Sequence, residues 1–339
     1  MLSSLLEKAR FATDGLLSPK RNPQRQQQRR RRNNDEDEAG TGSSDAEQTM
    51  TETAYNLQIE DGDEGGKSTG KNNVSLSLAK GTVSHPEVAH YRQRCAPCST
   101  LFCLSQTVIL ALMMWQCGVA SLRINPMIGP GPEVLNYWGA KNAVLIIDEG
   151  ETYRLFTPVF LHAGLIHLAG NVLVQMDAGN MWEKEWGSLV WMIVYVGSAF
   201  GSSVFSCCFM PDNISVGSSG AVMGLFGAKL SEIALLCCEK STTLKERAAA
   251  LSRKRQSCEV FMGIVLVMAM SFIPFVDWAA HLGGVIAGFV IGLVCFSFRF
   301  RHWFFILIWS VAGVGSVVAL YSTMMVYMYT KVETNDDLR

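Results

Sequence analysis

The chain changes character near residue 100. Before it, polar residues dominate with no helical or alternating period. After it, apolar runs of membrane length alternate with short polar segments. The runs fall at 101–122, from about 160 to 182, 187–209, 216–236, 260–276, 278–296 and 303–327. About 20 apolar residues in a helix cross a hydrocarbon core roughly 30 Å thick. The pattern therefore predicts an all-α polytopic membrane protein of seven helices. The second run has an ambiguous start, because apolar residues begin at Leu155 but Pro158 interrupts them.

Loop charges orient the runs. Arg92 and Arg94 precede the first. Lys240, Lys245, Arg247, Arg253, Lys254 and Arg255 crowd the loop 239–256, and Arg299 and Arg301 follow the sixth. Positive residues collect on the cytosolic side. The amino end, the basic loop and the turn at 299–301 thus face the cytosol. The long mixed segment 123–162 faces outward, and its Pro, Gly and aromatic residues suit a partly embedded loop. Lys229 and Glu232 lie in the cytosolic half of the fourth run, three apart, where they pair on one face or snorkel.

Composition adds the tail. Residues 1–97 carry Arg29–Arg32, then Asp35–Glu38, among Gln, Asn, Gly and Ser. Such a segment buries too little apolar surface to fold and is read as a disordered cytosolic tail. Residues 331–339 form a short outer tail. The net charge of −1 averages two unlike parts and points to no nucleic acid. The ten cysteines sit mostly in or beside apolar runs and do not form a disulfide framework. Cys95, Cys98 and Cys103, and the pair Cys237 and Cys238, lie at membrane edges open to acylation. Asn73-Val74-Ser75 is a sequon on the cytosolic side, and Asn213-Ile214-Ser215 one close to the outer face.

Chemistry concentrates at the heads of two runs. Val216-Gly217-Ser218-Ser219-Gly220-Ala221 opens the fourth, and Ala280-His281-Leu282-Gly283-Gly284 lies at the start of the sixth. Both runs begin outside, and Ser219 and His281 each sit about three residues in, roughly 5 Å below the same face at 1.5 Å per residue. A serine and a histidine at one depth suggest a nucleophile and its base. Gly284, Gly288 and Gly292 recur every four residues, with Gly220, Gly224 and Gly227 facing them, and small residues at that spacing let membrane helices approach closely. In the second run His167 and Asn171 share one face. Intramembrane polar residues of this kind face a polar interior. Their donors suit an oxyanion, provided the helix starts near His162 rather than Leu155.

Together these residues resemble the rhomboid family of intramembrane serine proteases. The resemblance covers 98–330. It rests on Gly217-Ser218-Ser219-Gly220, on Ala280 to Gly284 with Gly288, and on His162, His167 and Asn171. Tyr153-Arg154 and Glu183 with Gly187 support it, although Tyr153 stands where many members have tryptophan. It implies a rhomboid-like six-helix bundle plus one C-terminal transmembrane helix, the eukaryotic secretory-pathway type. It further implies that Ser219 is the nucleophile and His281 the base of a dyad with no acidic third member. His167, Asn171 and the Ser219 N–H would form the oxyanion hole. Gly217, Gly220, Arg154, His162, Glu183, Gly284 and Gly288 would support the structure around it. No metal and no cofactor are implied. The partners implied are transmembrane protein substrates within a lipid bilayer. The membrane implied is that of the secretory pathway or the cell surface rather than the mitochondrial inner membrane.

Rival readings explain less. A transporter would use the histidines as a proton path but leaves the glycine-bracketed serine without a purpose. A catalytically weak relative that binds and guides membrane proteins would lose the serine or the histidine, and both are present. There is no His-Glu-x-x-His zinc motif, and Asp177 and Asp277 lie at helix ends rather than paired within the runs.

Overall fold

The computed structural model describes residues 92–237, 244–271 and 276–334, with side chains from 238 to 250 and at 252 and 254 left aside. The tail from 1 to 91, its charge blocks and first sequon, and residues 335–339 lie outside these. The described chain is helical: α1 Pro97–Cys117, α2 Pro132–Trp138, α3 Ala143–Ile147, α4 Leu165–Val174, α5 Asn180–Trp186, α6 Ser188–Phe209, α7 Ser219–Cys237, α8 Leu244–Met270, α9 Trp278–Ser297 and α10 Trp303–Lys331. Five of them, α1, α6, α7, α9 and α10, are long and apolar enough to cross a membrane. This is an all-α polytopic membrane protein.

The other two apolar runs are helical in a different way. α4 and α5 are joined by a single π turn, Gln175–Gly179, into one continuous rod from Leu165 to Trp186. It starts at Leu165 because two short 3₁₀ turns, Thr152–Leu155 and Thr157–Phe160, occupy the preceding apolar stretch, the second with Pro158 in its first turn. α8 begins at Leu244, well before the apolar residues at Val260. The basic segment expected to be loop is therefore largely helix. Its Leu, Lys, Glu, Arg and Ala residues are good helix formers whether or not lipid surrounds them.

α1 also starts earlier than its apolar run. Glu183, fully buried on α5, accepts from the N–H groups of Cys98 at 3.0 Å and Ser99 at 2.7 Å, and from the Ser188 hydroxyl at 2.6 Å. A carboxylate placed on the free donors of a helix start is favourable by charge and by hydrogen bonding. Arg92 and Gln93, assigned to the tail by composition, already donate their backbone N–H to the Lys184 carbonyl.

α9 lies at the centre, packed chiefly on α7 and also on α6 and α10. The α7–α9 seam is built largely of bare backbone. A Cβ at Gly284 would overlap the carbonyl of Gly220, and one at Gly288 the carbonyl of Gly224. Gly292 lies against the Ser231 hydroxyl and the Ala228 backbone, and Gly227 against the backbone of Val285. α6 adds a stripe of serines: Ser198 and Ser202 lie against Gly224 and Gly220, and Ser206 bonds Asp277. Around the seam, Trp186, Trp191, Tyr195, Leu225 and Phe296 form the main core. α10 is mostly exposed, as a lipid-facing helix is, with Gly313 and Met328 its buried residues.

At the end of the bundle away from Ser219, a charge cluster gathers around two buried groups, Lys229 and Glu232. Lys229, 1 % exposed, donates to both carboxylate oxygens of Glu185 at 2.8 Å and to Glu232 at 2.9 Å. Glu232 also accepts from Trp186 Nε1 at 2.9 Å and pairs with Arg299. The pairing expected within α7 thus belongs to a network drawn from α5, α7 and the turn after α9.

The seam makes a direct prediction. Gly288→Ala places a methyl group on backbone that cannot move aside, so it should cost about 1–3 kcal/mol, the usual range for overpacking. Thermal unfolding in detergent micelles measures it, and an unchanged midpoint contradicts the close seam.

Candidate active site

Ser219 is the first residue of α7, and His281 lies in the first turn of α9. Their contact is direct: His281 Nε2 is 2.7 Å from Ser219 Oγ. His281 is 7 % exposed, whereas Ser219 is partly exposed and open to a reactant. Asp277 starts α9 by accepting from the Ala280 N–H at 2.8 Å, while its other oxygen accepts from Ser206 at 2.5 Å. The segment before Ser219 is held on two sides. Ser215 pairs with Lys141 through reciprocal backbone bonds of 3.1 and 2.9 Å, and the Gly217 N–H donates to the Pro158 carbonyl at 2.9 Å. Lys141 itself donates to the Met210 carbonyl at 2.8 Å. Burial draws its pKa below the usual lysine range, against the pull of Cys207, Asp277 and Asp212.

Gly217 takes φ = +126°, a backbone region that disfavours side chains. Its bareness also makes room for His167, whose Cε1 and Nε2 lie 2.8 and 2.9 Å from where a Cβ would stand. His167 Nδ1 accepts from the Ala163 N–H at 3.4 Å, which leaves the ring proton on Nε2, the nitrogen turned to the Gly217 backbone beside Ser219. Asn171, one turn on, spends one amide hydrogen on the His167 carbonyl at 2.9 Å and keeps a second.

The helix carrying His167 is started by the long loop before it. The carbonyls of Ile128 and Met127 accept from the N–H groups of Leu165 and Ile166, which a helix start otherwise leaves unpaired. Gly129 and Gly164 allow this contact, since a Cβ on either would overlap the other segment's backbone. Ile128 holds φ = +58°, a strained value for a β-branched residue. Asn125 ties the loop down by donating to Ala163 and Pro130 carbonyls.

The remaining sequence-nominated residues sit around the pair rather than in it. Arg154, 4 % exposed, donates to the carbonyls of Asn136 and Ala140 at 2.7 and 3.0 Å and pairs with Glu151, holding the end of α2 against the following loop. His162 is fully buried, 3.4 Å from the Ser218 hydroxyl and edge-on to His167. Glu183 caps α1, remote from Ser219 in the fold's hydrogen bonding. One contact was absent from the sequence reading: Ser271 Oγ lies 2.6 Å from His281 Nδ1. Its only advance sign is that Ser271 is the single hydroxyl between Val260 and Val276.

The family model described as the Rhomboid domain matches residues 149–298, a span that holds Ser219, His281, His167 and Asn171. Residues 149–298 are a rhomboid domain. The chain is 36% identical over 174 residues to RHOMBOID-like protein 6, mitochondrial, of Arabidopsis thaliana, covering 51% of this chain and 53% of that one. It is 34% identical over 196 residues to RHOMBOID-like protein 1 of the same plant, covering 58% and 48%. To Rhomboid-like protease 2 of Toxoplasma gondii it is 28% identical over 235 residues, covering 68% and 78%. The chain spans about half the length of the plant relatives it matches.

Within the rhomboid domain, two glycines should respond oppositely to one methyl group. Gly217→Ala meets both a strained φ and the His167 ring, and should cost about 1–3 kcal/mol. Gly170→Ala, on α4 with nothing within 4 Å of its Cβ position, should be neutral or stabilising by up to about 1 kcal/mol. Unfolding midpoints of the two variants test the contrast, and equal shifts contradict it.

Proposed function

We propose that this chain is an intramembrane serine endopeptidase that cleaves single-pass membrane proteins in or near their transmembrane helices. The observation that carries the proposal is the 2.7 Å approach of His281 Nε2 to Ser219 Oγ at the head of two membrane-length helices. Ser219 Oγ attacks the scissile carbonyl while His281 Nε2 takes its proton. The same nitrogen then returns the proton to the leaving amine. Water, activated in the same way, hydrolyses the acyl-enzyme. The oxyanion takes the His167 Nε2–H, the Ser219 N–H at the helix start and the spare amide hydrogen of Asn171 as donors. Arg154, His162, Gly217, Gly220, Gly284 and Gly288 hold these groups in place.

A helix in lipid hides its carbonyls in its own hydrogen bonds. Substrates should therefore unwind readily near the Ser219 end, through Gly, Ala or Pro, and equal cleavage of substrates with and without such residues contradicts this. The loop charges support a cytosolic amino end, and with it a membrane of the secretory pathway or the cell surface. The plant relative named mitochondrial supplies the second reading, which fractionation of tagged protein separates.

The deciding test is cleavage of a panel of single-pass substrates in membranes. Ser219→Ala and His281→Ala should each lower cutting at least about a thousandfold, with both proteins folded, and Ser219 should take up a fluorophosphonate label. Undiminished cutting by His281→Ala overturns the dyad. Absence of both cutting and label in the unaltered protein leaves membrane-protein binding without catalysis as the function.

A further inference from the structure

Ser271 touches the imidazole nitrogen that the dyad leaves free. It closes α8, its N–H donating to the carbonyls of Val267 and Met268, and it is 4 % exposed. Its hydroxyl oxygen lies 2.8 Å from the Val267 carbonyl and 2.6 Å from His281 Nδ1. A hydroxyl has one hydrogen to give, and a carbonyl oxygen can only accept. With both contacts hydrogen-bonded, the Val267 carbonyl takes the Ser271 proton. The 2.6 Å contact is then a hydrogen bond only if Nδ1 carries a proton and donates it to Ser271 Oγ. A neutral imidazole with its proton on Nδ1 has a lone pair on Nε2, and Nε2 is the atom facing Ser219.

We propose that Ser271 is the positioning residue of the site, fixing His281 in the one neutral tautomer that can accept the Ser219 proton. The inference rests on the protease reading and deepens it. In the serine–histidine–aspartate triad a carboxylate chooses the tautomer and aims the ring. Here the carboxylate nearest in sequence, Asp277, spends both oxygens on the Ala280 N–H and the Ser206 hydroxyl. The task falls instead to a chain of neutral groups, Ser219 to His281 to Ser271 to the Val267 carbonyl. Each passes its hydrogen in the same direction. As His281 becomes imidazolium, the Nδ1–H bond to Ser271 strengthens, so the contact favours the step as well as the orientation.

The test compares the full chain with Ser271→Ala, Ser271→Cys and Ser271→Thr. Cysteine nearly keeps the volume but accepts weakly, and threonine keeps the hydroxyl. Alanine and cysteine should lower kcat about tenfold or more, short of the loss of the base itself, with KM within about twofold, and threonine should restore most of the rate. Nitrogen-15 spectra of ring-labelled His281 in micelles should show the Nδ1 proton in the unaltered protein and in Ser271→Thr. In Ser271→Ala and Ser271→Cys the proton should move to Nε2. Unchanged kcat in the alanine and cysteine variants, or an Nδ1 proton retained in both, overturns the proposal. The ring spectra need no turnover, so a chain that cuts nothing sinks the protease reading while the tautomer still decides the place of Ser271.

Discussion

The structure depends on a contact made largely of bare backbone. Along the α7–α9 seam, glycine faces glycine, and carbonyl oxygens occupy the space that methyl groups would otherwise fill. Lipid tails are as apolar as leucine, so burying apolar side chains gives membrane helices little reason to associate. Close backbone packing supplies that reason. It also sets the spacing of the two helices by main-chain geometry, which has far fewer alternatives than a layer of rotamers. Ser219 and His281 stand at the open end of this seam, and their separation inherits its rigidity.

Around the seam, polar groups are satisfied by partners from distant parts of the chain. Glu183 caps α1. Gln175, in the π turn, donates to the Ser99 carbonyl and accepts from the Tyr195 hydroxyl. The Ile128 and Met127 carbonyls start α4, and Arg154 closes the loop beside α2. Unpaired groups of this kind are costly in hydrocarbon, so each bond fixes one element against another. The positions of His167 and Ser219 follow from a loop and a turn that are themselves hydrogen-bonded, not from helix packing alone.

Much of this was legible in the residue order. Apolar run lengths marked α1, α6, α7, α9 and α10. Loop charges put Ser219 and His281 at a common depth, and a four-residue glycine period pointed at the seam. Less legible were the helix ends, because hydropathy reports where lipid begins rather than where hydrogen bonding stops. α8 therefore runs back through basic residues to Leu244, and α1 back to Pro97. Pairings across long separations, such as Glu183 with Ser99 or Ser271 with His281, leave no periodic trace in a single sequence. Arg299 shows the same limit: it was read as a topological marker, and its partner Glu232 could not be named until the helices were in place.

That last pairing has a consequence for how the chain is put together. Along the chain Glu185 comes first, then Lys229 and Glu232, and Arg299 last. When α7 leaves the ribosome, Lys229 already has its counter-charge waiting on α5. Glu232 has Lys229 on its own helix and a hydrogen bond from Trp186, and it gains Arg299 only when α9 and the turn beyond it have been made. The charge network and the α7–α9 seam thus share one requirement: both are complete only once α9 and the turn carrying Arg299 are in place.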